Sequence, residues 1–156
     1  MIDKNLIKET IEEFFNKMSF DVEVEVQDFE EDERGISIPV DIKSDSPQSI
    51  IGYKGETLNS AQFILKAIIK RKLNLEKRVY LNLDVNNYKQ KKIDYLKELA
   101  SSAADDVALI RVAKTLEPMN GEERRAIHME LAERNDVFTE SIGEGDNRRV
   151  VIKPAN

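Results

Sequence analysis

Two regular alternations of apolar and charged residues follow an opening segment with helical spacing. Residues 3–18 place apolar side chains three and four positions apart, which predicts an amphipathic helix. In residues 22–26 and 36–42 every second residue is valine or isoleucine, which predicts two half-buried strands. The run EEDERG between them predicts a hairpin turn, and Pro39 marks the second strand as an edge strand or the site of a bulge.

The pattern then changes from strand to helix and back again. A short helical segment ends at Ile50–Ile51, and two glycines separate it from a longer helix that begins at Glu56. The apolar stripe of that helix recurs at intervals of 3, 4 and 3 through Leu58, Ala61, Leu65 and Ile68. Alternation in residues 78–85 predicts a strand, so the order of elements is helix, strand, strand, helix, helix, strand.

The rest of the chain predicts a second module. A long helix is expected over residues 88–114, then a short strand, a helix over 120–134, and a hairpin formed by VFTESI and RRVVIKP. No tract of Gly, Ser or Pro separates the halves. The predicted class is α+β, with one module in residues 1–85 and another in residues 86–156.

Composition and charge narrow the function. The chain has no cysteine, so it lacks the residues of a disulfide framework or a zinc knuckle, and a reducing cytoplasm is the expected location. No apolar run approaches the roughly 20 residues that a membrane-spanning helix needs. The net charge is −6, yet residues 1–50 carry 5 basic and 14 acidic side chains and residues 51–97 carry 11 and 4. The basic block is compatible with a polyanionic partner, but taken by itself it is more simply interpreted as a solvated lysine-rich helix face.

The segment IIGYKGETLNSAQFIL carries the first candidate site. Gly52 and Gly55 are either a tight turn between helices or a loop whose backbone N–H groups open a helix and bind phosphate. In the second interpretation Lys54 adds positive charge, and Ile50 and Ile51 form the floor of a groove for unstacked bases. The Walker phosphate-binding pattern is absent, which argues against a nucleotide triphosphatase.

Arg124 and His128 form the second candidate site. They stand four residues apart on a predicted helix and so emerge on one face. Arginine grips phosphate through two parallel hydrogen bonds, and histidine stacks or donates a hydrogen bond. The alternative is an exposed helix flank with no ligand. No nucleophile–base pair or metal-ligand spacing occurs, so neither an enzyme nor a cofactor or metal site is expected.

The first module resembles a KH domain of type II, on the residues IIGYKGETLNSAQFIL and the element order. In that family the G-x-x-G loop holds the backbone of about four single-stranded nucleotides. The resemblance implies that Gly52, Tyr53, Lys54 and Gly55 form the loop, with Ile51 beside the groove. Related loops often carry two basic residues between the glycines, whereas here Tyr53 takes one of those places. Tyr53 either stacks on a base or weakens the electrostatic attraction of the loop for phosphate.

The second module resembles an R-three-H domain. The resemblance rests on the residues after about 88, with LEPMN, the Arg124–His128 pair and VFTESIGEGDNRRVVIKP. The two modules together resemble the bacterial Jag (KhpB) family over roughly residues 20–154. This resemblance implies a single-stranded RNA-binding regulator or RNA chaperone. It also implies that Arg148 and Arg149 extend a basic surface, and Lys89 and Lys92 are further candidates for it; ion pairing or solvation of a helix is the alternative for each pair.

Family members commonly begin with a small extra N-terminal domain and a charged linker, whereas this chain starts directly at the helix leading into the KH unit. It is therefore a short member or a trimmed sequence. The expected partner is single-stranded RNA or DNA. The competing hypothesis is a protein-interaction adaptor of a membrane-insertion, cell-division or envelope complex, binding another KH-domain protein.

Overall fold

The computed structural model describes residues 2–156 and divides the chain into two compact units, residues 1–89 and 90–156. Each unit is mixed α and β, as expected, and each has its own hydrophobic core. The first core is built mainly from isoleucine, leucine and valine, and the second has three buried alanines on its long helix.

A four-stranded sheet forms the centre of the first unit. Its strands are β1 (Glu23–Val26), β2 (Glu30–Glu31), β3 (Ile36–Lys43) and β4 (Val79–Val85). β3 is the central strand: β1 and β2 lie antiparallel along one edge, and β4 lies parallel along the other. Alternate residues of β3 and β4 are buried on one face, which confirms the predicted period of two.

Pro39 lies in this central strand, so the edge-strand prediction is wrong, while a bulge does occur beside it. Val26 pairs with Val40 and Glu30 pairs with Ser37, so residues 27–29 lie opposite only residues 38 and 39. The Gln27 N–H donates to the Pro39 carbonyl at 3.0 Å, but proline has no N–H to donate in return. The edge is interrupted there, and Glu30–Glu31, expected in the turn, form β2 after the bulge.

Helices α1 (Lys4–Lys17), α2 (Pro47–Ile51) and α3 (Glu56–Lys72) complete this unit. α2 and α3 carry the chain from β3 to β4, as a crossover between parallel strands requires. The buried stripe of α3 is Leu58, Ala61, Leu65 and Ile69, so the last stripe position is Ile69 in place of Ile68.

The second unit packs helices against a three-stranded antiparallel sheet. Its elements are α4 (Tyr88–Ile110), β5 (Lys114–Thr115), α5 (Gly121–Leu131), β6 (Val137–Ile142) and β7 (Arg149–Pro154), with sheet order β5–β7–β6. α4 ends four residues earlier than expected because Arg111 adopts a left-handed conformation (φ 64°). Ile110, the last residue of α4, is 65% exposed.

The start of α5 is fixed by a closed set of polar contacts. The Asn120 side chain accepts from the Glu123 N–H at 2.9 Å, and Glu123 accepts from the Asn120 N–H at 3.1 Å, which makes a capping box. Glu123 is buried, and Lys92 pairs with its carboxylate at 2.7 Å. This network sets the position from which Arg124 and His128 project.

Candidate nucleic-acid interface

The loop between α2 and α3 has a backbone shape that demands glycine. Gly52 has φ 72° and ψ −172°, a conformation that essentially only glycine adopts. A Cβ atom placed there would lie 2.0 Å from the Thr57 hydroxyl oxygen, so a side chain is also excluded by contact. Gly55 is left-handed (φ 82°) and is the N-cap of α3. These positions keep side chains away from the backbone of the loop.

The two residues between the glycines project into solvent. Tyr53 is 73% exposed and Lys54 is also exposed, with its ammonium 5.4 Å from the centre of the Tyr53 ring. No side chain caps the first turn of α3, because the N-cap residue is Gly55. The loop therefore offers an aromatic face, a cation and the positive end of a helix to one approaching anion.

Asn86 holds the crossover in place beneath the loop. The Ser44 N–H donates to Asn86 Oδ1 at 3.0 Å, and Asn86 Nδ2 donates to the Ser44 carbonyl at 2.8 Å. Asn86 is left-handed (φ 50°), which asparagine tolerates better than most residues. These bonds tie the segment leaving β3 to the end of β4.

An open groove of about 300 Å³ runs between α3 and the free edge of β4. The lining residues of α3 recur at helical spacing on one side of the helix, whereas β4 contributes four consecutive residues, Val79 to Asn82, so the groove lies along the open edge of that strand. Two of them are exposed aromatics, Phe63 (72%) and Tyr80 (43%). The polar lining residues are Asn59, Gln62, Lys66 and Asn82.

This groove differs from the one expected from the sequence. Ile50 and Ile51 are only 1% and 8% exposed and pack in the core, so they do not form an exposed floor. The aromatic surfaces are Phe63 and Tyr80, which were not among the residues predicted from the sequence. Phe63 lies off the apolar stripe of α3, and that mismatch was the available signal.

In the second unit α5 brings Arg124 and His128 together, with different surroundings for each. Both ring nitrogens of His128 contact hydroxyls of β6: Nδ1 lies 2.6 Å from Thr139 Oγ1, and Nε2 lies 2.8 Å from Ser141 Oγ. The imidazole thus connects α5 to the inner face of β6 and has no nitrogen left for a phosphate. Thr139 and Ser141 occupy the same strand phase as buried Val137, an unusual pattern that is visible in the sequence.

Arg124 is the group of this pair that is available to a ligand. Its side chain is half-buried, and its buried Nε atom has no hydrogen-bond partner within residues 2–156. Burial first, and the Arg124 charge second, lower the pKa of His128 below its usual value. His128 is therefore mainly neutral at pH 7, and the positive charge of the pair belongs to Arg124.

The four additional basic candidates separate into different roles. Lys92 neutralises buried Glu123, which favours the structural alternative for this residue. Lys89 and Arg148 are exposed. Arg149 is half-buried and donates from Nε to the Asn147 carbonyl at 3.0 Å, and within the described residues neither arginine forms an ion pair with the hairpin-loop acids Glu144 and Asp146.

Two family models match the chain, one for each unit. The model described as the KH domain of KhpA/KhpB matches residues 4–83, and an R-three-H domain model matches residues 94–154. The chain belongs to the KhpA/KhpB family. Neither matching model describes an enzyme.

Curated relatives are similar over much of the chain and carry the name RNA-binding protein KhpB. The protein from Clostridium symbiosum is 33% identical over 92% of this chain, and the one from Bacillus subtilis is 35% identical over 66%. The protein from Lactiplantibacillus plantarum is 34% identical over 66%. The chain spans only 63%, 50% and 31% of the lengths of these three relatives.

No helix within residues 2–156 has the length and hydropathy to cross a membrane.

Replacing Gly52 by alanine tests the backbone requirement of the loop. The variant should lose about 2 kcal/mol or more of unfolding free energy, because the new methyl group meets Thr57 in a backbone conformation that alanine avoids. Gly145→Ala is the control, since Gly145 also has a positive φ (55°) but has no atom within 4 Å of an added Cβ. Urea unfolding of both variants should rank Gly52→Ala as clearly the less stable, and equal losses would contradict the steric argument.

The His128 contacts predict a pH dependence of the second unit. As pH falls from 7 towards 5 the unfolded chain binds the proton first, because the folded pKa lies below the unfolded value. The unfolding free energy should therefore fall, by at most about 1.4 kcal/mol per pH unit for one proton. Hydrogen exchange of the Ile127 and Val150 amides, followed from pH 7 to pH 5, measures this fall in unfolding free energy.

The control for this dependence is His128→Gln, which removes the titrating group. The carboxyls whose pKa is lowered, Glu13, Asp28 and Asp136, titrate below this window and do not interfere. An unchanged pH slope in His128→Gln would show that another group is responsible.

Proposed function

We propose that this protein binds single-stranded RNA and acts as a post-transcriptional regulator or RNA chaperone. The observation that carries the proposal is the continuity of the glycine loop with the groove: α3 starts at Glu56, directly after Gly55, and presents groove residues from Asn59 to Lys66. A phosphodiester backbone binds at the loop, and the bases that follow enter the groove.

The groove has the chemistry that unpaired bases require. Phe63 and Tyr80 supply faces on which any base stacks, and each such contact contributes about 1–3 kcal/mol. Lys54 and Lys66 supply positive charge at the loop and along α3. The face of the sheet away from α3 carries Glu23, Glu25, Asp41 and Asp84, and their charge disfavours an RNA strand there. Tyr80 shares the strand phase of Asp84 and lines the groove only at the open edge of β4.

The second unit contributes a separate phosphate contact through Arg124. Its guanidinium is held at the capped start of α5, and His128 braces that helix against β6. In this assignment Arg124 binds phosphate, and His128 positions Arg124 by holding α5 against β6. Exposed Arg148 is a further basic group of this unit.

The names of the relatives support this proposal over the adaptor hypothesis and over an enzyme. Each relative is named an RNA-binding protein. The structure adds an exposed aromatic and basic groove of the kind that nucleic acid uses. Single-stranded DNA as a second ligand, another KH-domain protein as a partner, and a cytoplasmic location stay predictions.

Replacing Tyr53 and Lys54 by aspartates tests the loop. Both side chains are exposed, so the fold should survive, while RNA affinity should fall about tenfold or more because two carboxylates face the phosphates. The slope of log Kd against log salt should shrink by about 0.7 for each phosphate that the protein no longer neutralises. Fluorescence anisotropy with a labelled 20-nucleotide RNA at several salt concentrations measures both.

The matched control is Lys17→Asp with Met18→Asp, an exposed pair on α1 with the same change of net charge. It should bind nearly as the unmodified protein does. Equal losses in the two double variants would point to total charge in place of the loop, and salt-independent binding would favour the adaptor hypothesis.

Arg124→Gln tests the second site. If a long strand contacts both units of one chain, its affinity gains from the effective concentration of the second contact. The variant should weaken binding of a 20-nucleotide RNA about tenfold but change binding of a four-nucleotide RNA little. Arg125→Gln, the exposed neighbour on the same helix, is the control, and equal effects on both RNA lengths would rule out two-site binding.

A further inference from the structure

Three amide side chains line the groove between α3 and β4, and they are not equivalent. The side-chain amides of Asn59 and Asn82 have no hydrogen bond to another residue within residues 2–156, so each can turn either its oxygen or its NH₂ group towards a base. An amide that turns freely accepts from one base as readily as it donates to another. These two residues therefore do not discriminate between bases.

Gln62 is held in one orientation. The backbone N–H of Leu83, on β4, donates to Gln62 Oε1 at 2.9 Å. A backbone N–H can only donate, so the oxygen must face Leu83 and the NH₂ group must point away from it.

The Nε2 group of Gln62 is left as an unused donor at the groove. It has no acceptor within the described residues, and it is not among the buried side-chain atoms that lack a partner. Gln62 itself is half-buried and lines the groove. Towards a base in the groove, this residue therefore presents two N–H groups and its oxygen stays bonded to the strand edge.

The bases differ at the position such a donor reads. Uracil and guanine carry a carbonyl oxygen at C4 or C6, whereas cytosine and adenine carry an amino group there. A fixed NH₂ group forms a hydrogen bond with the carbonyl and faces another donor on the amino bases. Phe63 and Tyr80 stack and Lys66 binds phosphate, and neither kind of contact depends on that substituent.

We propose that Gln62 makes the groove select keto bases, uracil and guanine, over amino bases, cytosine and adenine, at the nucleotide beside it. This inference rests on the proposed RNA binding and extends it to a class of ligand. The preferred ligand is a single strand rich in uracil and guanine.

The first experiment compares uridine and cytidine heptamers, which have the same ring size and differ at this exocyclic group. Anisotropy titration of the full chain should give about three- to tenfold tighter binding of the uridine heptamer, the range of one hydrogen bond. Inosine and adenosine heptamers repeat the comparison for purines. In nitrogen–proton correlation spectra the Gln62 side-chain NH₂ resonances should move with the keto strands and move less with the amino strands.

Gln62→Glu provides the decisive variant. One carboxylate oxygen keeps the bond from the Leu83 N–H, and the other replaces the donor by an acceptor that prefers the amino group of cytosine. The order of the two pyrimidine heptamers should reverse. Asn59→Asp is the control, because it adds the same charge to the groove at an amide that turns freely, and it should weaken both strands and keep uridine ahead.

The outcomes separate this inference from the function beneath it. If none of the RNA strands shifts the Gly52 and Gly55 amide resonances, the proposed function fails. If they move equally with uridine and cytidine strands, or if Gln62→Glu and Asn59→Asp behave alike, RNA binding stands and the role of Gln62 is overturned. Undiminished protection of the Leu83 amide from hydrogen exchange in unbound Gln62→Glu verifies that the strand-edge bond is retained.

Discussion

The parallel pairing of β3 with β4 is the constraint from which the site in the first unit follows. Seven residue pairs, from Ile36 with Val79 to Ile42 with Val85, align the two strands in the same direction. Parallel neighbours cannot be joined by a tight hairpin, so the chain must leave one end of the sheet and return to the other. α2, the glycine loop and α3 make that return, and the loop is consequently the turn of a crossover.

The same constraint creates the groove. α3 packs its apolar stripe on the sheet and runs beside β4, whose outer edge has no further strand among the described residues. An open strand edge can pair with a strand of another chain. Here the Gln62 side chain covers part of the edge, because its oxygen accepts a hydrogen bond from the Leu83 N–H. Phe63 and Tyr80 stay exposed beside that edge, at positions where neither side chain adds to the core. The groove is thus a consequence of topology, and its exposed aromatic and amide side chains form the surface that we propose binds RNA.

The second unit separates two tasks that its sequence motif presents as one. Both ring nitrogens of His128 contact hydroxyls of β6, and burial lowers the pKa of its imidazole. The neutral imidazole therefore connects α5 to β6 and does not bind phosphate. Arg124 keeps its charge and leaves a buried Nε without a partner in the described part of the chain. Lys92 neutralises the buried Glu123 beside Arg124. The helix therefore holds the Arg124 guanidinium on a rigid base.

Sequence patterns predicted the order of elements, the two mixed units and the positions of the glycine loop and the Arg124–His128 pair. Periodicity and glycine placement are local properties, so residues 36–42 and the start of α3 at Glu56 were predicted closely. Only the tertiary structure decided that Pro39 lies in a central strand, because strand neighbours depend on the path of the crossover. It also decided that Ile51 is buried while Phe63 is exposed, that His128 faces Thr139 and Ser141, and that Gln62 points its oxygen at Leu83. Each of these depends on which distant residue packs alongside, and the spacing of residues along one chain does not contain that information.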